Sequence, residues 1–380
     1  MKCIINGKVI LKDKVVEGLA VIYDKKIEKI AELKDININE YEVIDAQGNY
    51  VSPGLVDMHI HGYLGADVSD GDEEGLRLMC EGIIKNGVTA WCPTTMTVSK
   101  AEIEQALDTA RKLRASDEYY GSRILGINSE GPFLNVAKKG AQNEAHILKP
   151  DADFICQNAD IIKVYTIAPE VEGALECIKT VKEKTNVLAS MGHTNATFEE
   201  GMAGMEAGVG HVTHLFNGMT GLSHRSPGAV GAALTADASI ELIADTFHID
   251  KGLFNLIWRI KKDKFCLITD CIRPGGMPDG DYFSGGLPVH KEGIKCLLPD
   301  GTICGSVITL NKAVYNLYRY SEMEIYDAVN CASLNPATAL GEDKEIGSLE
   351  EGKRADIVIA DEEFNILTTI LGGEICYKGE

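Results

Sequence analysis

The middle of the chain, residues 54–344, alternates between short apolar runs and helical patterns. Eight of these runs are rich in Val and Ile, and helical stretches such as EEGLRLMCEGIIKN and VEGALECIKTVKEK lie between most of them. Strands that alternate with helices pair in parallel and are joined by right-handed crossovers. Eight strand–helix units predict a closed (β/α)8 barrel of the TIM type, with a doubly wound open sheet as the alternative.

The two ends of the chain have a different pattern. Residues 1–53 and 345–380 contain short β-rich runs separated by turn sequences. Neither end is long enough to bury a core by itself. We therefore predict one small β-sandwich domain built from residues 1–53 and 345–380, with the barrel of residues 54–344 inserted between them.

The charge balance restricts the partners of this chain. Asp and Glu number 57 against 37 Lys and Arg, so the net charge is −20. A field of this sign repels nucleic acid and anionic membrane surfaces, and neither is an expected partner. The charged N-terminal residues do not resemble a targeting segment, and the eleven cysteines include no CxxC pair. We expect a cytoplasmic protein whose cysteines are reduced.

Polar side chains that can bind metals stand at the C-terminal ends of most of the eight runs. In a (β/α)8 barrel, these strand ends converge on the face that carries the active site. A run that is apolar at its start and polar at its end fits a strand that leaves the core and enters a pocket. The residues are His59, His61, Thr94, Thr95, Glu130, His193, His214, His248 and Asp270.

Two sets of these side chains are candidate metal ligands. His59 and His61 are alternate residues of one strand and share a face, but this motif alone fits core histidines equally well. Glu130, His193 and His214 come from three different strands. Two imidazoles and one carboxylate form a common ligand set for catalytic zinc and leave one position open for water. We predict that these three residues bind a metal.

Two further residues need separate interpretations. Asp270 ends the eighth run, where a carboxylate could accept a proton from metal-bound water and pass it to a leaving group. A helix N-cap is the alternative role, but the following residues, CIRPGGMPDGDYFSGG, have the composition of a loop. His211 lies three residues before His214, and odd spacing in a strand predicts that it faces the other way and is structural.

Several segments resemble a known family. PGLVDMHIHG is similar to the first-strand motif of the amidohydrolase superfamily, and the chain resembles its N-acetylglucosamine-6-phosphate deacetylases almost from end to end. The segments that carry this likeness are SEGPFLNVAKKGAQN, MGHTNATFEEG, HVTHLFNGM, IADTFHID and LITD. The resemblance implies hydrolysis of N-acetyl-D-glucosamine 6-phosphate to D-glucosamine 6-phosphate and acetate in amino-sugar catabolism. It also implies that metal-bound hydroxide attacks the amide carbonyl.

The resemblance also implies roles for individual residues. Glu130, His193 and His214 would bind a divalent metal ion, with zinc as the first choice and iron, manganese or cobalt as alternatives. His59 and His61 leave room for a second ion, which Glu130 would have to bridge. Asp270 would act first as general base and then as general acid. The implied substrate-binding residues are Ala141, Gln142, Asn217, Gly218, Arg225, His248, Ile303, Cys304 and Gly305.

Two of the implied substrate contacts have further consequences. Many relatives have His where this chain has Gln142, and Gln can donate and accept hydrogen bonds but cannot act as an acid. Arg225 is the implied phosphate contact. In the family, this phosphate pocket can involve a neighbouring subunit, so we expect a homodimer.

Three alternatives stay open at this stage. The substrate could be N-acetylgalactosamine 6-phosphate, which differs by one hydroxyl epimer. The chain could be a hydantoinase-like hydrolase of cyclic amides, but such enzymes need a bridging carboxylated Lys at the end of the fourth strand. Here the only Lys of that run is Lys163, near its start. A non-catalytic scaffold of the same fold would have lost metal ligands.

Overall fold

The computed structural model describes residues 1–116 and 121–379. The chain begins with seven short strands, all of which precede the barrel. They are β1 (Lys2–Ile5), β2 (Lys8–Ile10), β3 (Val15–Val16), β4 (Leu19–Tyr23), β5 (Ile27–Glu32), β6 (Glu42–Asp45) and β7 (Tyr50–Pro53).

The next eleven strands build the barrel and two short additions to it. They are β8 (Leu55–Ile60), β9 (Gly62–Tyr63), β10 (Ala66–Asp67), β11 (Val88–Thr95), β12 (Arg123–Ile124), β13 (Ile127–Phe133), β14 (Ile162–Ile167), β15 (Leu188–Met191), β16 (His211–Val212), β17 (Ser239–Ile243) and β18 (Phe265–Ile268). The order β8, β11, β13, β14, β15, β16, β17, β18 is parallel throughout. Strands β9 and β10 form a hairpin, and β12 pairs with β11.

The barrel closes between its first and eighth strands. Ile60 pairs in parallel with Cys271, and the Asp270 N–H donates to the carbonyl oxygen of His59 at 2.9 Å. Each of the eight apolar runs contains one barrel strand. The predicted (β/α)8 barrel is therefore confirmed, and the open-sheet alternative is wrong.

Helices follow the barrel strands and cover the outside of the sheet. They are α1 (Glu73–Ile83), α2 (Lys100–Ala115), α3 (Ala152–Gln157), α4 (Ala174–Lys184), α5 (Phe198–Ala207), α6 (Gly228–Thr235), α7 (Phe254–Lys261), α8 (Leu310–Tyr320), α9 (Ile325–Cys331) and α10 (Leu334–Ala339). Helices α2 and α5 begin with reciprocal capping boxes, Ser99 with Glu102 and Thr197 with Glu200. These caps satisfy the free N–H groups of the first turn and fix where each helix starts.

A small antiparallel sheet follows the eighth barrel strand. It contains β19 (Gly280–Ser284), β20 (Leu287–Glu292) and β21 (Lys295–Leu297). The sequence from 271 to 286 was expected to form a loop, whereas its last residues form β19. Gly285 and Gly286 both have positive φ, which allows the tight two-residue turn that pairs β19 with β20.

Residues from both ends of the chain form two further sheets. The last strands are β22 (Ile357–Ala360), β23 (Ile366–Leu371) and β24 (Glu374–Lys378). One sheet has the order β5-β4-β1-β6, and the other has the order β24-β23-β22-β7-β2-β3. Because β22 pairs with β7, the two ends share one sheet, as predicted for the terminal β-sandwich. The domain limits at residues 53/54 and 344/345 stay a prediction.

The barrel strands are buried on both faces. All eight residues of β11 are buried, and Trp91, Phe133, Tyr165 and Phe265 have at most 1% of their surface exposed. Parallel strands covered in this way appear in sequence as continuous apolar runs. Polar residues at their ends consequently stand out. Among the described residues, no helix is both long and apolar enough to cross a membrane.

Candidate active site

Six predicted side chains converge at the C-terminal end of the barrel. His59 and His61 come from β8 and its end, Glu130 from β13, and His193, His214 and Asp270 from the segments after β15, β16 and β18. All six are buried. They form two adjacent clusters whose nitrogen and oxygen atoms could hold a metal ion, one of Glu130, His193 and His214 and the other of His59, His61 and Asp270.

In the first cluster, a carboxylate oxygen faces two imidazole nitrogens. Oε1 of Glu130 lies 2.7 Å from Nε2 of His214 and 3.1 Å from Nε2 of His193. The two Nε2 atoms are 3.2 Å apart. In a tetrahedral zinc site with Zn–N bonds of 2.0–2.1 Å, two ligand nitrogens are about 3.3 Å apart. The 3.2 Å between the two nitrogens is close to this spacing, and the Glu130 oxygen lies closer to them, at 2.7 and 3.1 Å.

Glu130, a member of the first cluster, also contacts the second cluster. Nε2 of His59 lies 3.1 Å from Nε2 of His61, and Oδ1 of Asp270 lies 3.3 Å from Nε2 of His61. Oε2 of Glu130 lies 3.1 Å from His61 Nε2, while its Oε1 faces the first cluster. Glu130 consequently stands between the two clusters, where a bridging carboxylate would have to be.

The four histidines share one orientation. Each directs Nδ1 away from the clusters toward an oxygen atom, and each directs Nε2 into them. The Nδ1 partners are Glu241 Oε2 for His59 (2.8 Å), the Thr94 carbonyl for His61 (3.2 Å), the Lys138 carbonyl for His193 (2.9 Å) and the Asn217 carbonyl for His214 (3.2 Å). Such oxygens only accept hydrogen bonds, so the proton of each neutral ring is on Nδ1 and Nε2 carries a free lone pair. This donor set fits one or two divalent metal ions.

Three of the clustered residues have an uncommon backbone conformation. His193, His214 and Asp270 have φ values of 45°, 27° and 48°, in the left-handed region that non-glycine residues rarely adopt. Backbone hydrogen bonds hold them there; the His193 carbonyl, for example, accepts from Asn135 N–H at 3.0 Å. Conformations of this kind persist where the surrounding structure fixes them and are concentrated at functional sites.

The clustered charges stabilise one another. Burial would raise the pKa of Glu130, but His59 and His193 beside it hold that pKa well below its usual range. Burial would lower the pKa of His214, but the adjacent Glu130 carboxylate raises it to about 9. Without a metal the His214 ring therefore retains a second proton near neutral pH, and a metal ion must displace it. Metal affinity should fall as the pH is lowered.

A cavity of 260 Å³ opens directly above the clusters. Glu130, His193, His214, His61 and Asp270 form part of its wall. Eight of the nine predicted substrate-binding residues line the same cavity, namely Ala141, Gln142, Asn217, Gly218, His248, Ile303, Cys304 and Gly305. Met96, Gly140, Ile272 and Thr302 also line it and were not predicted.

Arg225 is the one predicted substrate-binding residue that does not line this cavity. Its side chain is exposed, and Nη1 lies 2.9 Å from Nε2 of the neighbouring His224. Among the described residues that line the cavity, none is Lys or Arg. A phosphorylated ligand would need a cation that these lining residues do not supply.

Two of the cavity-lining side chains have partners that limit what they can do. Gln142 accepts from the Thr97 N–H at 2.6 Å and donates to Glu130 Oε2 at 2.5 Å, so its amide orients the central carboxylate. His248 directs Nδ1 to Asp245 Oδ2 at 2.6 Å. Nε2 is therefore the ring nitrogen that could contact a ligand in the cavity. Asp245 was not predicted, although it precedes His248 in the ADTFH segment that drew attention to this histidine.

Glu241 was not predicted, and the orientation of His211 differs from the one expected. Glu241, in β17, accepts from the His214 N–H at 3.0 Å and lies 3.1 Å from Nε2 of His211. The His211 ring was expected on the face opposite His214, but it contacts the same carboxylate that accepts from the His214 main-chain N–H. Its structural role, outside both metal clusters, stays a prediction. The spacing rule fails because β16 ends at Val212, before His214 is reached. A charged residue within the apolar run IELIA was the signal that could have identified Glu241.

Comparison with known proteins agrees with this geometry. The model of the amidohydrolase family matches residues 50–376. The chain belongs to the amidohydrolase family. It is 36% identical over 333 residues to the N-acetylglucosamine-6-phosphate deacetylase of Bacillus subtilis, covering 86% of this chain and 84% of that protein. It is 34% identical over 339 residues to the N-acetylgalactosamine-6-phosphate deacetylase of Escherichia coli O157:H7, covering 88% and 89%.

Solved structures of such amidohydrolases are similar over the whole chain. The crystal structure of the N-acetylglucosamine-6-phosphate deacetylase of Pasteurella multocida superposes with a TM-score of 0.94 at 31% identity and covers 100% of both chains. A point mutant of the Mycobacterium smegmatis enzyme, in complex with N-acetyl-D-glucosamine 6-phosphate, gives 0.91 at 25% identity and covers 99% of each chain. The predicted resemblance to these deacetylases is confirmed.

Proposed function

We propose that this amidohydrolase removes the acetyl group from N-acetyl-D-glucosamine 6-phosphate in amino-sugar catabolism and releases D-glucosamine 6-phosphate and acetate. The observation that carries the proposal is the pair of metal-competent clusters in the wall of a cavity lined by eight of the predicted substrate residues. The similarity to proteins named for this reaction supports the choice of substrate.

The residues that would hold the metal follow from the free Nε2 atoms. Glu130, His193 and His214 would hold a first divalent ion, and His59 and His61 with Asp270 a second, with zinc as the first choice. A bound ion of this kind lowers the pKa of water and polarises an amide carbonyl. Gln142 keeps the Glu130 carboxylate in position through its amide N–H.

Asp270 would move the proton in this reaction. Its carboxylate lines the cavity, and its pKa stays low although burial would raise it, because His61 and His59 lie beside it. The ionised carboxylate accepts a proton from the attacking water and then delivers it to the amine nitrogen as the amide C–N bond breaks. The step yields acetic acid and the neutral amine, which become acetate and an ammonium group when the acid proton passes to the amine. The Asp270 carboxylate is then ready for the next cycle.

The phosphate group would require a second copy of the chain. The lining residues that the structure describes include no Lys or Arg, whereas Arg225 is exposed on the segment between β16 and α6. A phosphate dianion near a chain of net charge −20 needs a local cation, and the Arg guanidinium matches its geometry. We therefore propose a homodimer in which Arg225 contacts the phosphate in the site of the other subunit.

The cysteines bear on where the protein works. All eleven are free thiols, and nine are buried. We propose that the protein works in a reducing compartment such as the cytoplasm.

Acetate release from N-acetylglucosamine 6-phosphate tests the central proposal. The metal-loaded protein is compared with the same protein after chelation, and each is offered the phosphorylated sugar, the unphosphorylated sugar and N-acetylgalactosamine 6-phosphate. Metal-dependent release that is fastest from the first substrate is expected. Faster release from the galactosamine epimer would favour the alternative suggested by the Escherichia coli relative. No release from either phosphorylated sugar with metal bound would exclude both and favour a cyclic amide.

The fourth barrel strand argues against a cyclic-amide hydrolase. Nζ of Lys163 lies 2.6 Å from Glu342 Oε1, in an ion pair away from the clusters. The bridging Lys of such enzymes would have to point into the site.

Mixing two inactive variants tests the homodimer. Arg225→Ala should lose activity toward the phosphorylated substrate, and Asp270→Asn should lose proton transfer. If Arg225 acts across the interface, mixed dimers regain one intact site, and activity returns on subunit exchange. Absence of recovery in dimers shown to exchange would mean that Arg225 does not act in trans.

A further inference from the structure

Glu241 is a carboxylate buried inside the barrel that has no part in the reaction proposed above. Its surface is 0% exposed, and it is not among the residues that line the cavity. A buried carboxylate is costly unless it is paired and hydrogen-bonded, so its partners indicate what it does.

Three groups from different elements donate to this carboxylate. Oε2 lies 2.8 Å from His59 Nδ1 and accepts from the His214 N–H at 3.0 Å, while Oε1 lies 3.1 Å from His211 Nε2. The other ring nitrogen of His211 lies 2.6 Å from Ser239 Oγ. A buried chain of hydrogen bonds thus runs from Ser239 through His211 and Glu241 to His59.

This chain determines which nitrogen of His59 faces the second cluster. An ionised carboxylate only accepts hydrogen bonds, so the His59 proton lies on Nδ1. Nε2 is left with a free lone pair 3.1 Å from His61 Nε2 and 3.6 Å from Asp270 Oδ1. The opposite tautomer would direct an N–H group into the cluster and prevent metal binding there.

The first cluster does not depend on Glu241 in this way. Main-chain carbonyl oxygens orient its two histidines, at Lys138 for His193 and at Asn217 for His214. A change to the Glu241 side chain should therefore affect the two clusters unequally.

We propose that Glu241 is a positioning residue that makes His59, His61 and Asp270 a second metal site, so that the chain binds the second ion tightly only while residue 241 is a carboxylate. This inference rests on the metal-dependent function proposed above. Carboxylates that hold the outer nitrogen of a ligand histidine typically contribute about 10–100-fold to metal affinity. Glu241→Gln keeps the size of the side chain but removes its charge and one of its acceptor atoms.

The test compares metal binding in the wild type and in Glu241→Gln. Metal-free protein is titrated with Zn²⁺ against a chromogenic chelator, and bound metal is counted after gel filtration; Co²⁺ absorption reports the coordination of each ion. The wild type should bind two equivalents. The variant should bind the second equivalent about 10–100-fold more weakly. The first equivalent should lose less, because residue 241 contacts only the main-chain N–H of His214 and not its ring.

Asp356→Asn is the matched control. Asp356 is also a buried carboxylate, but its partners are Arg123 and the Gly372 N–H, at the side of the barrel that faces the terminal sheets. This variant should lose stability and still bind two equivalents. Loss of the second equivalent in the control as well would mean that any buried carboxylate has this effect, and it would overturn the inference.

The remaining outcomes separate this inference from the proposed function. The role of Glu241 is overturned if Glu241→Gln binds two ions as tightly as the wild type does, or if the wild type binds only one ion. Neither result bears on metal-dependent acetate release, which has its own assay. If Glu241→Gln does not fold, ¹⁵N-histidine spectra of the wild type decide instead. In the metal-loaded protein His59 must be protonated at Nδ1 alone, and a proton at Nε2 in that state overturns the inference.

Discussion

Replacing Asp270 with Asn should remove proton transfer and leave the shape of the site intact. The Asp270 N–H donates to the His59 carbonyl at 2.9 Å, and its own carbonyl accepts from Ser306 N–H at 2.8 Å, so the main-chain contacts do not depend on the carboxylate. Its φ of 48° lies in the left-handed region, which Asn tolerates as well as Asp. The substitution therefore keeps the main-chain geometry and removes the charge, the proton acceptor and one ligand atom of the second cluster.

The expected loss is large and lies mainly in kcat. General acid–base catalysis contributes about 10²–10⁴-fold, or roughly 2.7–5.4 kcal/mol of the activation free energy. KM should change little, because the phosphate and sugar contacts stay in place. Steady-state acetate release at saturating metal measures both constants, and metal analysis of the same sample shows whether the first cluster is filled.

Asp281→Asn is the matched control for Asp270→Asn. Asp281→Asn neutralises a carboxylate whose side chain is 90% exposed and pairs with His290 on the small antiparallel sheet, and it should leave kcat unchanged. If Asp270→Asn binds metal normally and keeps kcat within about tenfold of the wild type, a proton shuttle at Asp270 is excluded.

Three other results are expected. Chelation should abolish acetate release and lower the thermal unfolding midpoint, because an ion present at 100 times its Kd stabilises the folded state by about 2.7 kcal/mol; unchanged activity and melting after verified metal removal would contradict a metal site. Burial raises the pKa of Asp57 to about 7, above the unfolded value near 3.9. Between these two pH values the folded protein therefore binds one more proton than the unfolded chain does. The free energy of unfolding consequently falls as the pH rises through this range, by at most ~4 kcal/mol. Urea titrations of metal-free protein at about pH 4.5 and 7 should show a smaller fall in the free energy of unfolding for Asp57→Asn than for the wild type. An equal fall in both proteins would refute the raised pKa of Asp57. Phe265→Ala removes a fully buried ring from β18 and should lower the free energy of unfolding by about 3–5 kcal/mol in urea, whereas a loss below ~1 kcal/mol would mean that the core closes over the gap.

The barrel could be predicted from the sequence because the pattern of apolar and polar residues along each strand reflects which residues are buried. Each barrel strand is covered on both faces, so it appears as an apolar run, and the side chains that enter the pocket appear as polar residues at its end. His59, Glu130 and Asp270 were identified from that change of character alone. Their assignment to particular roles came from the resemblance to known deacetylases.

The predictions that failed concern segments in which the pattern of apolar and polar residues does not indicate the local structure. The two-residue strand β16 ends before His214, so a strand-spacing argument put His211 on the wrong side. Strand β19 was expected to be part of a loop, because the glycines and prolines of residues 271–286 dominate the composition of that segment. Arg225 is not one of these failures: it does not line the cavity of its own chain, and its contact with the phosphate stays a prediction.

The sequence by itself determined the order of the elements and which residue types reach the mouth of the barrel. Only the tertiary structure decided which of those side chains meet, such as Glu130 between two histidine pairs and Glu241 behind His59. The physical reason is that ring orientation, tautomer and ligand spacing are set by contacts between strands far apart in the chain. Barrel closure brings those strands together, and no local pattern encodes the distances that result.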